Sequence, residues 1–306
     1  MSTLAHIDLE ELGAALRQRG VDGWLVYDFH DLNPIARRLL ADRGMITRRV
    51  FLWLPAVGPP NLIVHRIDQP ALSDFPGEVE VYTTWQDLHR ILSATLRGRR
   101  VAMEMSPENA VPYLDLVPHG VVELLTRLGA TLLPSAPLVT QFSARWSAAE
   151  FEEHRQTAET IAAIARTTLE RTLDSVERAT EWEIQQEVLM AFNAAGLETE
   201  DPPIVAFGPH SADPHYAPEE GRSRTLQQDE VVLLDLWARP SPVSVWADQT
   251  WMGFSGPTLP EEVARVWDAV VEARDAAVQR LAEAARSGQR MTGAALDQAA
   301  REVIVR

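Results

Sequence analysis

The chain has 306 residues, no cysteine, and 44 acidic against 28 basic side chains, a formal net charge of −16. Disulfides and thiolate metal sites are therefore excluded, and the acidic balance argues against non-specific nucleic-acid binding, which rests on cationic surface. No apolar run approaches the ~18–20 residues of a membrane helix, and the acidic start MSTLAHIDLEEL lacks the basic head and apolar core of an export signal, so cytoplasm is the expected setting.

The length suggests about two domains. Leu9, Leu12 and Leu16 fall at helical spacing over 7–19, and Gly20 is a fitting stop. GWLVYDF (23–29) reads as a buried strand. NPIARRLLADRG (33–44) reads as a helix, with Asn33 before Pro34 at its first position. RVFLWL (49–54) and NLIVH (61–65) are strands joined by a Pro/Gly turn. A helix over 84–98, a strand over 100–105 and a helix over 119–130 follow. This alternation predicts an α/β domain over 1–135.

LLPSAPLVTQFSARWS (132–147), rich in Pro and Ser, reads as the boundary, and a second domain is expected over 136–306. Ser147 with Glu150 predicts a capping box for a long helix to about residue 174, and Thr180 with Glu183 predicts another over 181–195. Strands are expected over 203–208, 230–238 and 243–254. A long helix from 261 to about 286 and a last one opened by Thr292 complete the chain. That last helix carries no stop signal before Arg306, and the second domain has few strands for its helices, so the pattern reads as incomplete at its C-terminal side.

The chemistry concentrates in residues 203–256. Alternation puts Val231, Leu233, Asp235 and Trp237 on one face of a strand, and Trp246, Asp248, Thr250 and Met252 on one face of the next. The connection between them is short, so the two strands fit an antiparallel pair with both carboxylates on one surface. Carboxylates set in apolar strands are costly unless their charge is compensated. Two of them together suit a divalent cation, and oxygen ligation favours Mn, Mg, Co or Zn over copper. Each aspartate alone also fits a solvated strand end or an arginine partner. His210 and His215 upstream also fit ordinary loop positions.

GPHSADPHYAP, then VVLLDLWA, then ADQT resembles the creatinase, prolidase and aminopeptidase P family, the pita-bread metallopeptidases. That family's pattern is G-x-N-[SG]-A-x-x-H-Y, a strand with D-x-G-A and a strand with D-x-T-R-T. The resemblance covers the whole chain and implies an α/β N-terminal domain followed by an α+β pita-bread catalytic domain. It implies that Asp235 and Asp248 are metal ligands, Asp248 bridging two divalent ions, manganese before cobalt or zinc. His215 matches the histidine that contacts substrate and stabilises the tetrahedral intermediate. The implied reaction is attack of a metal-bound hydroxide on a peptide bond before proline. The implied partners are a peptide with proline in second position and a second copy of the chain in a homodimer, with no nucleic acid and no membrane.

Three positions depart from the pattern: Trp237 where Gly is usual, Trp251 where Arg is usual, and His210 where Asn is usual. The family's other ligands, one His and two Glu, match no residue up to Arg306. Two further functions fit the fold: a non-catalytic module binding peptides or basic proteins, and a creatinase-like activity on another C–N bond. Retention of both aspartates weighs against each.

Overall fold

Asp8 accepts hydrogen bonds from the N–H groups of Glu10 and Glu11 and so starts α1 (Leu9–Gln18), whose Leu12, Ala15 and Leu16 are buried. The computed structural model describes residue 4 and residues 7–40 and 44–306; parts of the N-terminal stretch and the end of the helix predicted over 33–44 lie outside the described residues. The chain packs as two compact units, residues 1–153 and 154–306.

In the first unit α1 is followed by β1 (Gly23–Asp28), α2 (Pro34–Leu40), β2 (Val50–Pro55), β3 (Asn61–His65), β4 (Glu78–Tyr82), α3 (Trp85–Leu96), β5 (Arg100–Met103), α4 (His119–Arg127), β6 (Thr131–Pro134) and α5 (Ala136–Phe142). The six strands form one sheet in the order β4-β3-β2-β1-β5-β6. The β1–β2 and β2–β3 pairs are antiparallel and the others parallel. Every residue of β1 is buried, because helices cover both sides of the sheet. Trp24 and Val26 point into a core shared with α1, α2 and α5, while Leu25 and Tyr27 point into one shared with α3 and α4. Gly23 is required by the close approach of Trp53: a Cβ there would lie 2.3 Å from the indole Cη2. The Trp53 ring is itself buried and cannot swing away. Gly23→Ala should therefore destabilise the protein by about 1–3 kcal/mol through overpacking, read as a lower urea midpoint with an unchanged slope.

Two strands and a helix depart from the sequence reading. EVEVY forms the edge strand β4, whose Glu78 is exposed and whose Glu80 accepts a bond from Asn61 at 2.8 Å. Charged side chains on an edge prevent pairing with another chain, and they also mask the strand pattern. The stretch that reads as a linker contains β6 and α5, and Leu138, Val139 and Phe142 of α5 are buried in the first core.

The remaining elements are α6 (Ala148–Leu173), α7 (Glu181–Ala194), β7 (Ile204–Phe207), β8 (Val231–Ala238), β9 (Ala247–Phe254), α8 (Glu261–Ser287) and α9 (Gly293–Ile304). Both capping boxes form: the Ser147 N–H donates to Glu150 at 2.7 Å, and Thr180 exchanges bonds with Glu183. Thr292 caps α9 and Gly288 ends α8 in the left-handed conformation. Strands β7, β8 and β9 make an antiparallel sheet in that order. One face of it is covered: Ile161 and Ala165 of α6 and Ile184, Val188 and Phe192 of α7 pack on Val205, Phe207, Val232, Leu234, Leu236 and Ala247. Gly253 lets β9 close on α6, since a Cβ there would stand 2.8 Å from Leu169 Cδ1. The other face carries the alternate residues of β8, all only half-buried.

Candidate metal centre

The register of the β8–β9 pair decides what shares the open face. Asp235 lies opposite Thr250, and Trp237 lies opposite Asp248. Paired residues point the same way in an antiparallel ladder. The two carboxylates are therefore diagonal neighbours on one surface, with Trp237 and Thr250 at the other two corners. Alternation accounts for this locally: Leu234 and Leu236, on either side of Asp235, are fully buried against the helices. The short connection over 239–246 allows the tight antiparallel return, and Arg239 at its start is held by Glu198 at 3.2 Å and Glu200 at 2.6 Å, with its guanidinium over the Trp246 ring.

The two aspartates differ in their surroundings. Thr250 Oγ1 donates to Asp235 Oδ1 at 2.7 Å, which orients that carboxylate and leaves its other oxygen free of this bond. Asp248 has its pKa raised, first by partial burial and then by the negative charge of Asp235. A cation between them would relieve both costs. The donor set fits a hard divalent ion in kind, since both groups offer carboxylate oxygens. It is small in number: among the described residues no group of three or more His, Asp or Glu is placed to hold a metal ion.

His215 sits in an exposed turn where its N–H donates to Asp213 Oδ1 at 2.9 Å. Its ring forms no hydrogen bond with either aspartate among the described residues. The loop that carries it leaves β7 through a 3-10 turn, Gly208–Ala212, which packs beside β7 and β8. Gly208 has φ +51 and faces the Arg224 and Glu230 side chains, which are paired with each other. His210 is tied down, with its Nδ1 2.8 Å from Glu181 and its ring 4.2 Å from that of Tyr216. Of the two tryptophan departures, Trp251 faces the helix layer, where it packs against the core and bonds to Gln249 at 3.0 Å. Only Trp237 shares the surface of the carboxylates.

The residue that sequence reasoning did not single out is Glu181. It is 0% exposed and accepts bonds from Phe207 N–H at 2.8 Å, Tyr216 Oη at 2.6 Å and Arg224 N–H at 3.1 Å, besides its contact with His210. Its signal in the sequence was hidden: an acid in the first turn of a helix is ordinary, because it complements the positive end of the helix dipole.

An α/β domain followed by a helix-backed sheet with paired carboxylates on its open face is the arrangement that the resemblance to the pita-bread metallopeptidases implies. The model of metallopeptidase family M24 matches residues 153–306, and the chain belongs to that family. The probable dipeptidase PepE of Mycobacterium bovis is 26% identical over 297 residues, 95% of this chain and 72% of its own length. An uncharacterized peptidase of Schizosaccharomyces pombe is 30% identical over 125 residues, 41% of this chain. The match spans only 26% of the length of that yeast protein. Among solved structures, dipeptidase PepE from Mycobacterium ulcerans superposes with a TM-score of 0.72 at 24% identity, covering 97% of this chain and 75% of its own. The prolidase from Thermococcus sibiricus gives 0.64 at 22% identity, covering 97% and 76%. Similarity at these identities is a similarity of fold. Among the described residues no helix is long and apolar enough to cross a membrane.

Proposed function

We propose that the protein hydrolyses Xaa-Pro peptide bonds, as an aminopeptidase P or prolidase, with two divalent metal ions held in part by Asp235 and Asp248. The observation that carries this reading is the pair of aspartates on the open face of β8 and β9, in a chain of a metallopeptidase family. When bound, such ions supply an activated water and positive charge for the carbonyl oxygen. The chain's own residues do the rest. Asp235 and Asp248 place two negative charges where a cation is attracted, and Thr250 fixes the orientation of one of them. Trp237, the cross-strand partner of Asp248, shares its surface and would narrow the room for a substrate side chain there. His215 donates a hydrogen bond to the oxygen that gains charge as the peptide bond is attacked. Membership of a metallopeptidase family supports a peptide as substrate.

Manganese is the first candidate ion, before cobalt and zinc, and a cytoplasmic homodimer is the form in which the reading places the protein. Within the chain it assigns 1–135 to the N-terminal α/β domain and 136–306 to the catalytic domain. The test is metal analysis of the protein as its gene encodes it, with hydrolysis of Xaa-Pro di- and tripeptides before and after chelation. Bound divalent metal, loss of cleavage on chelation and recovery with Mn²⁺ are expected. A protein that binds no metal, cleaves no Xaa-Pro peptide and captures a basic partner would instead be a binding module.

A further inference from the structure

Between Phe207 and Arg224 the backbone has no regular structure beyond one 3-10 turn, yet it carries His215. An unsupported loop of this kind would not hold an imidazole to the fraction of an ångström that catalysis requires. One side chain meets it at its entry, middle and exit. Glu181 Oε1 accepts from Phe207 N–H at 2.8 Å and lies 2.8 Å from His210 Nδ1. Glu181 Oε2 accepts from Tyr216 Oη at 2.6 Å and from Arg224 N–H at 3.1 Å, and lies 3.1 Å from His210 Nδ1. The Glu181 N–H in turn donates to Arg224 O at 3.2 Å. The carboxylate is fully buried at the first position of α7, where the helix dipole favours its charge. Tyr216, next to His215 in the chain, has its pKa pushed up to about 12 by burial and by the bond and charge of Glu181, so it remains a donor.

We propose that Glu181 is the positioning residue for His215: one buried carboxylate clamps the 207–224 loop at Phe207, His210, Tyr216 and Arg224, and thereby sets the place of His215 over the reaction. The proposal rests on the peptidase reading for its catalytic purpose, but the clamp itself is a structural claim with its own readout. Three donors and the His210 ring nitrogen converge on two oxygens, so glutamine, with one acceptor oxygen and an NH₂ group facing donors, cannot replace it. Burial makes the loss of these bonds costly, and the loop must rearrange.

The test uses the whole protein and the variants E181Q, Y216F, H215A and E181Q/H215A. With an Xaa-Pro dipeptide and Mn²⁺, E181Q should lower kcat about 100-fold, with KM and calorimetric Mn²⁺ affinity unchanged. Y216F, which removes one of the bonds, should act in the same direction and less, and it covers the case in which E181Q does not fold. Added to H215A, E181Q should cost nothing further, because both act through one group. Wild-type kcat in E181Q, or an equal loss in the H215A background, would overturn the proposal. Independently of activity, the imidazole NMR signal of His215, identified by its loss in H215A, should shift in E181Q and Y216F. An unmoved His215 signal would overturn the clamp. Absence of any Xaa-Pro cleavage by the wild type would sink the peptidase reading instead, and the NMR result would still decide the clamp.

Discussion

Asp248→Asn should abolish metal-dependent peptide cleavage and, in the metal-free protein, raise the unfolding temperature. The first effect follows from the proposed ligand role. Asparagine keeps the volume and one oxygen of the carboxylate but removes the charge that attracts a cation. Groups that only support a metal ligand cost about 10–100-fold in affinity or activity when lost, so losing a ligand should exceed that. The second effect has an independent basis. Asp248 stands on the exposed face beside the negative Asp235, and partial desolvation and then that charge raise its pKa. A folded-state pKa above the ordinary value means that the charged form is penalised in the native protein, so a neutral isostere is favoured there. Asp235→Asn should share the loss of metal, while its amide oxygen still accepts the bond that Thr250 makes to Asp235 at 2.7 Å. Calorimetric titration with Mn²⁺, hydrolysis assays and chelated thermal melts measure the three quantities. Undiminished metal-dependent turnover in Asp248→Asn would remove this residue from the site.

The second large effect lies in the first unit, at Glu104. This residue follows β5, is 0% exposed, and accepts bonds from Trp24 Nε1 at 2.6 Å and Ser135 Oγ at 3.1 Å, with Asn33 Nδ2 at 3.4 Å. Burial outweighs these donors and raises its pKa from 4.5 to about 7. The folded state therefore holds a proton that the unfolded chain has already released. Its contribution is complete below about pH 4.5, declines as pH rises, and is lost above about pH 7. The loss between those limits is on the order of 3 kcal/mol. Hydrogen exchange of the β1 amides over pH 5 to 8, corrected for intrinsic rates, should show the first unit opening more readily at the upper end. Glu104→Gln should flatten that dependence, since it stays neutral and still offers an acceptor to Trp24. Parallel stability curves for the variant and the wild type would exclude Glu104 as the cause.

The local features of this chain were legible because their causes are local. Asn33, Ser147, Thr180 and Thr292 stand within three residues of the N–H groups they cap. Gly20, Gly98, Gly196 and Gly288 follow helices where φ is positive. The antiparallel pairing of β8 with β9, and the common face of Asp235 and Asp248, followed from period-two alternation and a short connection. Elements with unusual surfaces were not legible. β4 is acidic because it is an edge, and β6 and α5 lie among prolines and serines that resemble a linker.

By itself, then, the sequence determined the pair of carboxylates, the helices and strands around them and the family pattern in which they stand. Only the tertiary structure decided that Trp237 shares their face while Trp251 does not, and that His210 and Tyr216 belong to a clamp built on Glu181. The physical reason is range. Alternation and capping act over a few residues, whereas Glu181 meets donors 26 to 43 residues further along the chain. Nothing in its neighbourhood of Thr180 and Glu183 distinguishes it from an ordinary first-turn acid until the loop folds back onto it.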